Sequence, residues 1–406
     1  MGAKRKKRFV GIDWASRHND VCIVDAAGEL IAERRFANSA DGMADMLAWL
    51  AKHNGGRVKG LGVAIEVPHG PVVDALMERG AAVFSINPKQ AERFRSRFSV
   101  SGVKDDQVDA RVLADSLRTD QRAYRRVAVR HPVRVELTEW SRADRELKRQ
   151  RVDKSNRLRT QLQRYFPQYL ELSNDMTVEW LLAVWEIVPT PKHAKRATPS
   201  DVTAVMRKHL ARKLNGEQVL KVLRTKPLVV APGTQAAAVA HIGLLIESLR
   251  LLNKQIRQAK VEIDRCLEAL EREQRDVKIL QSLPGVGRIV LATLLTEGYE
   301  PLAQQDYHAL RALAGSAPVT RRSGRSRQVS MRRACQPRLR DAVYHWARIA
   351  SMIDPRTKAR YDSLRARGKT HGRALRTVSD RLLKVACKML ETETLYDPSR
   401  YAPLNC

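Results

Sequence analysis

Cysteine is scarce: 406 residues carry only five, Cys22, Cys266, Cys335, Cys387 and Cys406, odd in number, far apart and without CxxC spacing. That pattern excludes a disulfide framework and a cysteine-built zinc site, and it suits a reducing cytoplasm. Long apolar runs are wanting too. No run is expected to approach the roughly 20 residues a membrane helix needs, and the best short candidate, Trp180 to Trp185, is stopped by Glu186. The start of the chain, Met1-Gly2-Ala3-Lys4-Arg5-Lys6-Lys7-Arg8, has no apolar stretch before its first strand-like segment, so it reads as a solvated basic arm and not a secretory signal. The expectation is a soluble protein with no membrane partner. The sharpest shortage is of negative charge: 44 Asp and Glu stand against 74 Lys and Arg, a formal charge of +30 and a pI of about 10.4. A polyanion would neutralise that excess, and nucleic acid is the first to consider, because the arginines run through the whole chain and do not form a lysine-rich tail.

What is present begins as α/β. Phe9 to Trp14, Asn19 to Asp25 and Glu29 to Phe36 read as three strands, the last following the turn signal Ala27-Gly28. Helical spacing over Ala40 to His53, a strand over Leu61 to Val67, a helix over Pro71 to Arg79 and a strand over Ala81 to Ile86 complete a β-β-β-α-β-α-β order. That is the ribonuclease-H-like layout. Beyond Pro132 the strand signal disappears. Leu137 to Tyr169 reads as one long helix, and Met176 to Leu228 as short helices separated by Pro189, Pro191, Pro199 and Pro227. Next, Leu245, Leu249, Leu252, Ile256, Ala259, Ile263, Cys266 and Leu270 recur at alternating steps of four and three. This heptad seam suits a coiled coil, which would allow dimerisation, or a long helix packed inside its own domain with Leu137 to Tyr169 as partner. The expected division is therefore an α/β domain over residues 1–130, a helical and coiled-coil region over 131–275, and an all-α domain over 276–395.

The last domain opens with Leu283-Pro284-Gly285-Val286-Gly287-Arg288, the signature of a helix-hairpin-helix, whose Gly-rich turn offers backbone N–H groups to a phosphate. Gly285, Gly287 and Arg288 are thus candidates for contacting a nucleic-acid backbone. In the first domain, Asp13 lies on the first strand, Glu66 ends a central strand, and Asp106 and Asp109 share one face of a predicted helix. Four converging carboxylates cannot stay ionised without cations, and two Mg²⁺ ions would neutralise them while clamping a phosphodiester in phosphoryl transfer. For Asp105, Asp115 and Asp120 a solvated charge or helix cap is the preferred reading. A second constellation spans Arg311 to Arg340, which holds nine arginines and no acid. Its Gly and Pro content predicts a loop over Ala314 to Arg327, where Arg321, Arg322, Arg325 and Arg327 surround Ser323. Arginines that grip phosphate oxygens would let that serine act as nucleophile or as a phosphate contact.

Gly11-Ile12-Asp13, Ile65-Glu66, Lys104 to Ala110, Leu283 to Gly287, Ala314 to Pro318 and Ser323-Gly324 together resemble the DEDD-type transposases of the insertion-sequence "one-ten" family. The resemblance covers both ends in order, leaving mainly residues 170–235 unassigned. It implies a RuvC-like N-terminal domain joined by a coiled coil to a C-terminal transposase domain. It also implies a recombinase, a homodimer or tetramer, guided by a bridge RNA that pairs with donor and target DNA. The family's four acids carry over to Asp13, Glu66, Asp106 and Asp109, with Mg²⁺, or Mn²⁺ in its place, as cofactor, and its serine nucleophile carries over to Ser323. The departures are specific. The usual Lys-Thr-Asp-Arg-x-Asp-Ala has Asp105 for Thr and Gln107 for Arg, and only the register through Asp106 keeps both the three-residue step to Asp109 and the following Ala110. Gly315-Ser316 replaces Gly-Leu, and Arg325-Ser326-Arg327 replaces a glycine-rich stretch, so Ser316 and Ser326 stay in reserve as nucleophiles. The alternative is a metal-dependent RuvC-like junction nuclease that forms no covalent intermediate.

Overall fold

The computed structural model describes residues 7–86, 88–98, 106–127, 131–211, 213–324 and 326–398, with the backbone but not the side chains of residues 88, 89, 97, 98, 106, 107 and 327. The chain divides into two compact units, residues 1–130 and 131–406.

In the first unit β1 (Phe9–Trp14), β2 (His18–Val24) and β3 (Leu30–Ala37) form an antiparallel meander. On the other side of β1, β4 (Gly62–Ile65) and β5 (Ala82–Ser85) continue in parallel, and β6 (Arg125–Arg126), a two-residue strand absent from the sequence reading, pairs antiparallel with β5. The order β3-β2-β1-β4-β5-β6 is compatible with a ribonuclease-H-like domain. Alternation sorts the strands' two faces. Val10, Ile12, Val21, Ile23, Val63 and Ile65 pack on Met46 and Leu50 of α1 (Ala40–Lys52) and Val72 and Leu76 of α2 (Pro71–Glu78). The opposite face carries Phe9, Cys22, Val24 and Ala64. It receives, after α3 (Pro88–Phe98), the helix α4 (Asp106–Thr119) through Ala110, Leu113, Ala114 and Leu117. Helices on both faces explain why the central strands read as nearly continuous apolar runs.

Gly11 sets the depth of this packing. A Cβ there would lie 1.9 Å from the Ala110 carbonyl oxygen and 2.5 Å from the Ala114 nitrogen, so only glycine lets α4 settle onto β1.

The second unit is built on two long helices, α5 (Pro132–Tyr165) of 34 residues and Thr234–Glu273 of 40. They run antiparallel: His131 Nε2 meets Glu273 at 3.0 Å, Arg134 donates to Gln274 at 2.5 Å, Arg151 donates to Asn253 at 3.4 Å, and Arg265 pairs with Glu136. All eight residues of the heptad seam are buried, Leu245 and Leu249 in one cluster with Leu158 and Leu162, and Ile263, Cys266 and Leu270 in another with Leu137. Of the two arrangements the seam allows, its apolar side here meets a helix of the same chain.

Two expectations need correction in this unit. The helix Thr234–Glu273 is, by length and composition, apolar enough to cross a membrane, contrary to the expected lack of any such stretch. His241, Glu247 and Arg250 interrupt it, which hides it from a search for unbroken runs, and its Ala238, Ile242, Leu245 and Ile246 are buried inside the chain. Nor does strand structure end at Pro132. β7 (Val319–Ser323) and β8 (Ser326–Ser330) form an antiparallel hairpin where a loop was expected, since Gly324 punctuates two β-capable pentapeptides and supplies a tight turn.

Between the long helices lie Glu179–Ile187, Pro191–Arg196, Pro199–Lys208 and Gly216–Leu223, two of them opening on proline as expected of N1 positions. Beyond them, Arg288–Glu297, Pro337–Ile353 and His371–Glu391 surround the fully buried Trp346.

Candidate active site

β1 and β4 run in parallel with Ile12 opposite Ile65, which puts Asp13 and Glu66 at the next position of each strand. Glu66 thus lies one residue past β4, not within it. Because odd positions of β1 and even positions of β4 face α4, Asp13, Glu66 and the buried Asp109 turn to the same side of the sheet. Asp106 opens α4 one turn before Asp109, its side chain outside those described, and Asp105 lies outside the described residues altogether.

Arg95, on α3, joins two of these acids. Its Nε donates to Asp109 Oδ1 and its Nη2 stands 3.8 Å from Glu66 Oε1. Local sequence carries no sign of this contact, because Arg95 reaches Asp109 from a separate helix. Asp20, directly across the ladder from Asp13, is a further acid at the site that the sequence reading passed over. Its charge is already met by Arg35, which donates Nε and Nη2 at 2.9 and 3.0 Å. Burial, with the Glu66 charge adding to it, pushes the Tyr124 phenol up to about 12, so it stays protonated at neutral pH. Among the described residues no three acidic, histidine or cysteine side chains stand close enough to hold a metal ion as placed here.

In the second unit Ser323 ends β7, opposite Ser326, and both are exposed. Arg321 and Arg322 precede it, exposed and on opposite faces of the hairpin; Arg325 lies outside the described residues, as does the side chain of Arg327. Ser316 sits apart, half-buried, with its Oγ 3.1 Å from Ser379 Oγ. Other arginines of the acid-free window are committed to structure. Arg311 grips Asp380 bidentately at 2.8 and 2.6 Å, and Arg338 reaches Glu297 at 2.6 Å.

The Pro-Gly turn is held by Trp346, whose indole N–H donates to the Pro284 carbonyl at 2.9 Å. Gly285 adopts φ +81°, and a Cβ there would sit 2.8 Å from the Ala350 nitrogen. Gly287 then caps Arg288–Glu297, an N-terminus that no side chain satisfies. Arg288 is partly exposed and ion-paired: its Nε donates to Asp264 at 2.7 Å, and Glu268 stands 3.5 Å off.

Comparison with known proteins gives the family. Residues 10–167 match an IS110-type DEDD family described as transposase, and residues 277–362 match one described as transposase of the IS116/IS110/IS902 family. A mini-circle protein of Streptomyces coelicolor, ascribed as the transposase for IS117, is 34% identical over 98% of this chain and 97% of its own length. The chain belongs to the IS110 family of transposases. A Sinorhizobium fredii protein, y4uE, also ascribed a transposase role, is 48% identical to this transposase over 51% of the chain and 58% of its own length. The product of insertion element IS116 from Streptomyces clavuligerus is 25% identical over 98% of both. As a member of this family the chain is an enzyme acting on DNA.

Proposed function

We propose that this transposase cleaves and rejoins DNA through Ser323, assisted by Mg²⁺ on Asp13, Glu66, Asp106 and Asp109, and is guided by an RNA that pairs with donor and target DNA. The observation that carries the reading is the common face shared by Asp13, Glu66 and Asp109, at the carboxyl ends of adjacent parallel strands, with α4 bringing Asp106 one turn away. The donors are hard carboxylate oxygens, the set that suits Mg²⁺ and also accepts Mn²⁺, and the guanidinium of Arg95 already lies against two of them. Bound there, Mg²⁺ would neutralise charge developing at phosphorus and at the leaving oxygen.

The chain's own residues do the rest. Ser323 Oγ attacks phosphorus, and an Oγ–P bond forms as the bond from phosphorus to the departing deoxyribose oxygen breaks. The serine proton passes to solvent, and the leaving oxygen takes one up. Arg321, Arg322, Arg325 and Arg327 hold non-bridging oxygens, which both orients the phosphate and favours the charge it gains. The backbone amides around Gly285 and Gly287 steady flanking DNA. Sequence choice lies in base pairing with the RNA, and the protein works in the cytoplasm as a dimer or larger assembly.

The test is adduct trapping. Protein incubated with its copurified RNA, Mg²⁺ and a nicked suicide substrate should yield a denaturant-resistant protein–DNA species, with the nucleotide on the peptide containing Ser323. Ser323→Ala should abolish it without unfolding the chain, since an exposed hydroxyl leaves no cavity. An adduct on Ser316 or Ser326 would move the nucleophile. Cleavage at the normal rate by the triple serine variant, with no adduct, would leave a metal-only junction nuclease.

A further inference from the structure

The carboxylate site holds a cation of the chain's own. Asp109 is only 7% exposed, and the guanidinium of Arg95, itself 27% exposed in its side chain, spans it and Glu66. A buried carboxylate is costly when unpaired, and this contact gives Asp109 its partner. We propose that Arg95 is a positioning residue which keeps the Glu66 and Asp109 carboxylates gathered until divalent cations displace it. The inference rests on the reading of Asp13, Glu66, Asp106 and Asp109 as metal ligands.

The physical reason for exchange is competition between two cations for the same pair of carboxylates. Mg²⁺ needs carboxylate oxygens at about 2.0–2.1 Å in near-octahedral directions. The guanidinium fork lies against one oxygen of each acid, so a divalent ion held by their other oxygens would sit at close range beside a like charge. That repulsion favours displacement of the Arg95 guanidinium, and the cost of breaking its contacts is subtracted from the metal's affinity. The arrangement has two consequences. The site stays assembled when empty, and it loads only when the cation, or cation together with substrate phosphate, outcompetes one arginine.

Lysine would not reproduce this. Its ammonium is a point charge without the planar fork, so it neutralises one acid at a time and yields more easily.

The experiment is direct Mn²⁺ binding to the full-length chain, followed by the loss of the free-ion electron paramagnetic resonance signal. Arg95→Gln should bind Mn²⁺ at least about fivefold more tightly than the unmodified protein, the lower edge of typical coupling between competing ligands. Arg95→Lys should fall between the two, and it keeps the test alive should the glutamine variant fold poorly. A melting curve without metal should show Arg95→Gln less stable than the parent, with a larger gain on adding Mn²⁺. Equal or weaker Mn²⁺ binding in both Arg95 variants overturns the proposal while leaving the metal reading intact. If Asp13→Asn leaves Mn²⁺ binding unchanged in every background, the metal reading itself falls and this inference falls with it.

Discussion

Single side chains at this site do separate jobs. Asp13→Asn, Glu66→Gln or Asp109→Asn should each lower DNA cleavage by at least about a hundredfold, because losing a ligand forfeits several kcal/mol of charge stabilisation. RNA and DNA binding, measured by filter retention, should remain, since no basic group is lost. Asp106→Asn should match them and Asp105→Asn should not; the reverse result would shift the register by one residue. Gly11→Ala should cost about 1–3 kcal/mol or more in chemical denaturation, because the new methyl group would drive α4 off β1 at the Ala110 carbonyl. Arg288→Ala, by contrast, should leave the salt dependence of DNA binding unchanged, since its guanidinium is held by Asp264 and Glu268.

At the scale of elements, the long antiparallel pair and the hairpin behave differently. The helix Thr234–Glu273 buries its seam against α5, so Ile263→Ala, which empties a fully enclosed site, should cost about 2–5 kcal/mol. The loss in melting temperature should be the same at all protein concentrations; a concentration-dependent loss would place the seam between copies. β7 and β8 form a two-stranded hairpin with Val329 and neighbouring Met331 exposed, a structure of marginal stability in isolation.

For the whole molecule the governing quantity is charge. A formal charge of +30 predicts that affinity for RNA or DNA falls steeply with salt, with a log–log slope of about −0.7 to −0.9 per phosphate contact. Replacing Arg321, Arg322 and Arg325 together with alanine should make the slope shallower by about two to three and slow cleavage. A flat salt response in the parent protein would mean that the positive charge does not face the nucleic acid.

Composition and local pattern by themselves determined much of this protein. The shortage of acids names a polyanionic partner, short apolar runs rich in β-branched residues mark β1, β2, β4 and β5, and proline marks breaks between helices such as Pro191 and Pro199, because each effect depends on residues close in the chain. The acids Asp13, Glu66 and Asp109 were legible for the same reason: a carboxylate closing an apolar strand or lining a helix face stands out locally. Tertiary structure alone decided what the heptad seam meets, since the same spacing serves a second copy or the chain's own α5. It also decided that Arg311, Arg338 and Arg288 are tied to acids distant in sequence while Arg321 and Arg322 stay exposed. The Arg95 contact belongs to that second class. Ion pairs and helix partners join residues through space, and nothing in the spacing of a linear chain marks which distant side chain will arrive.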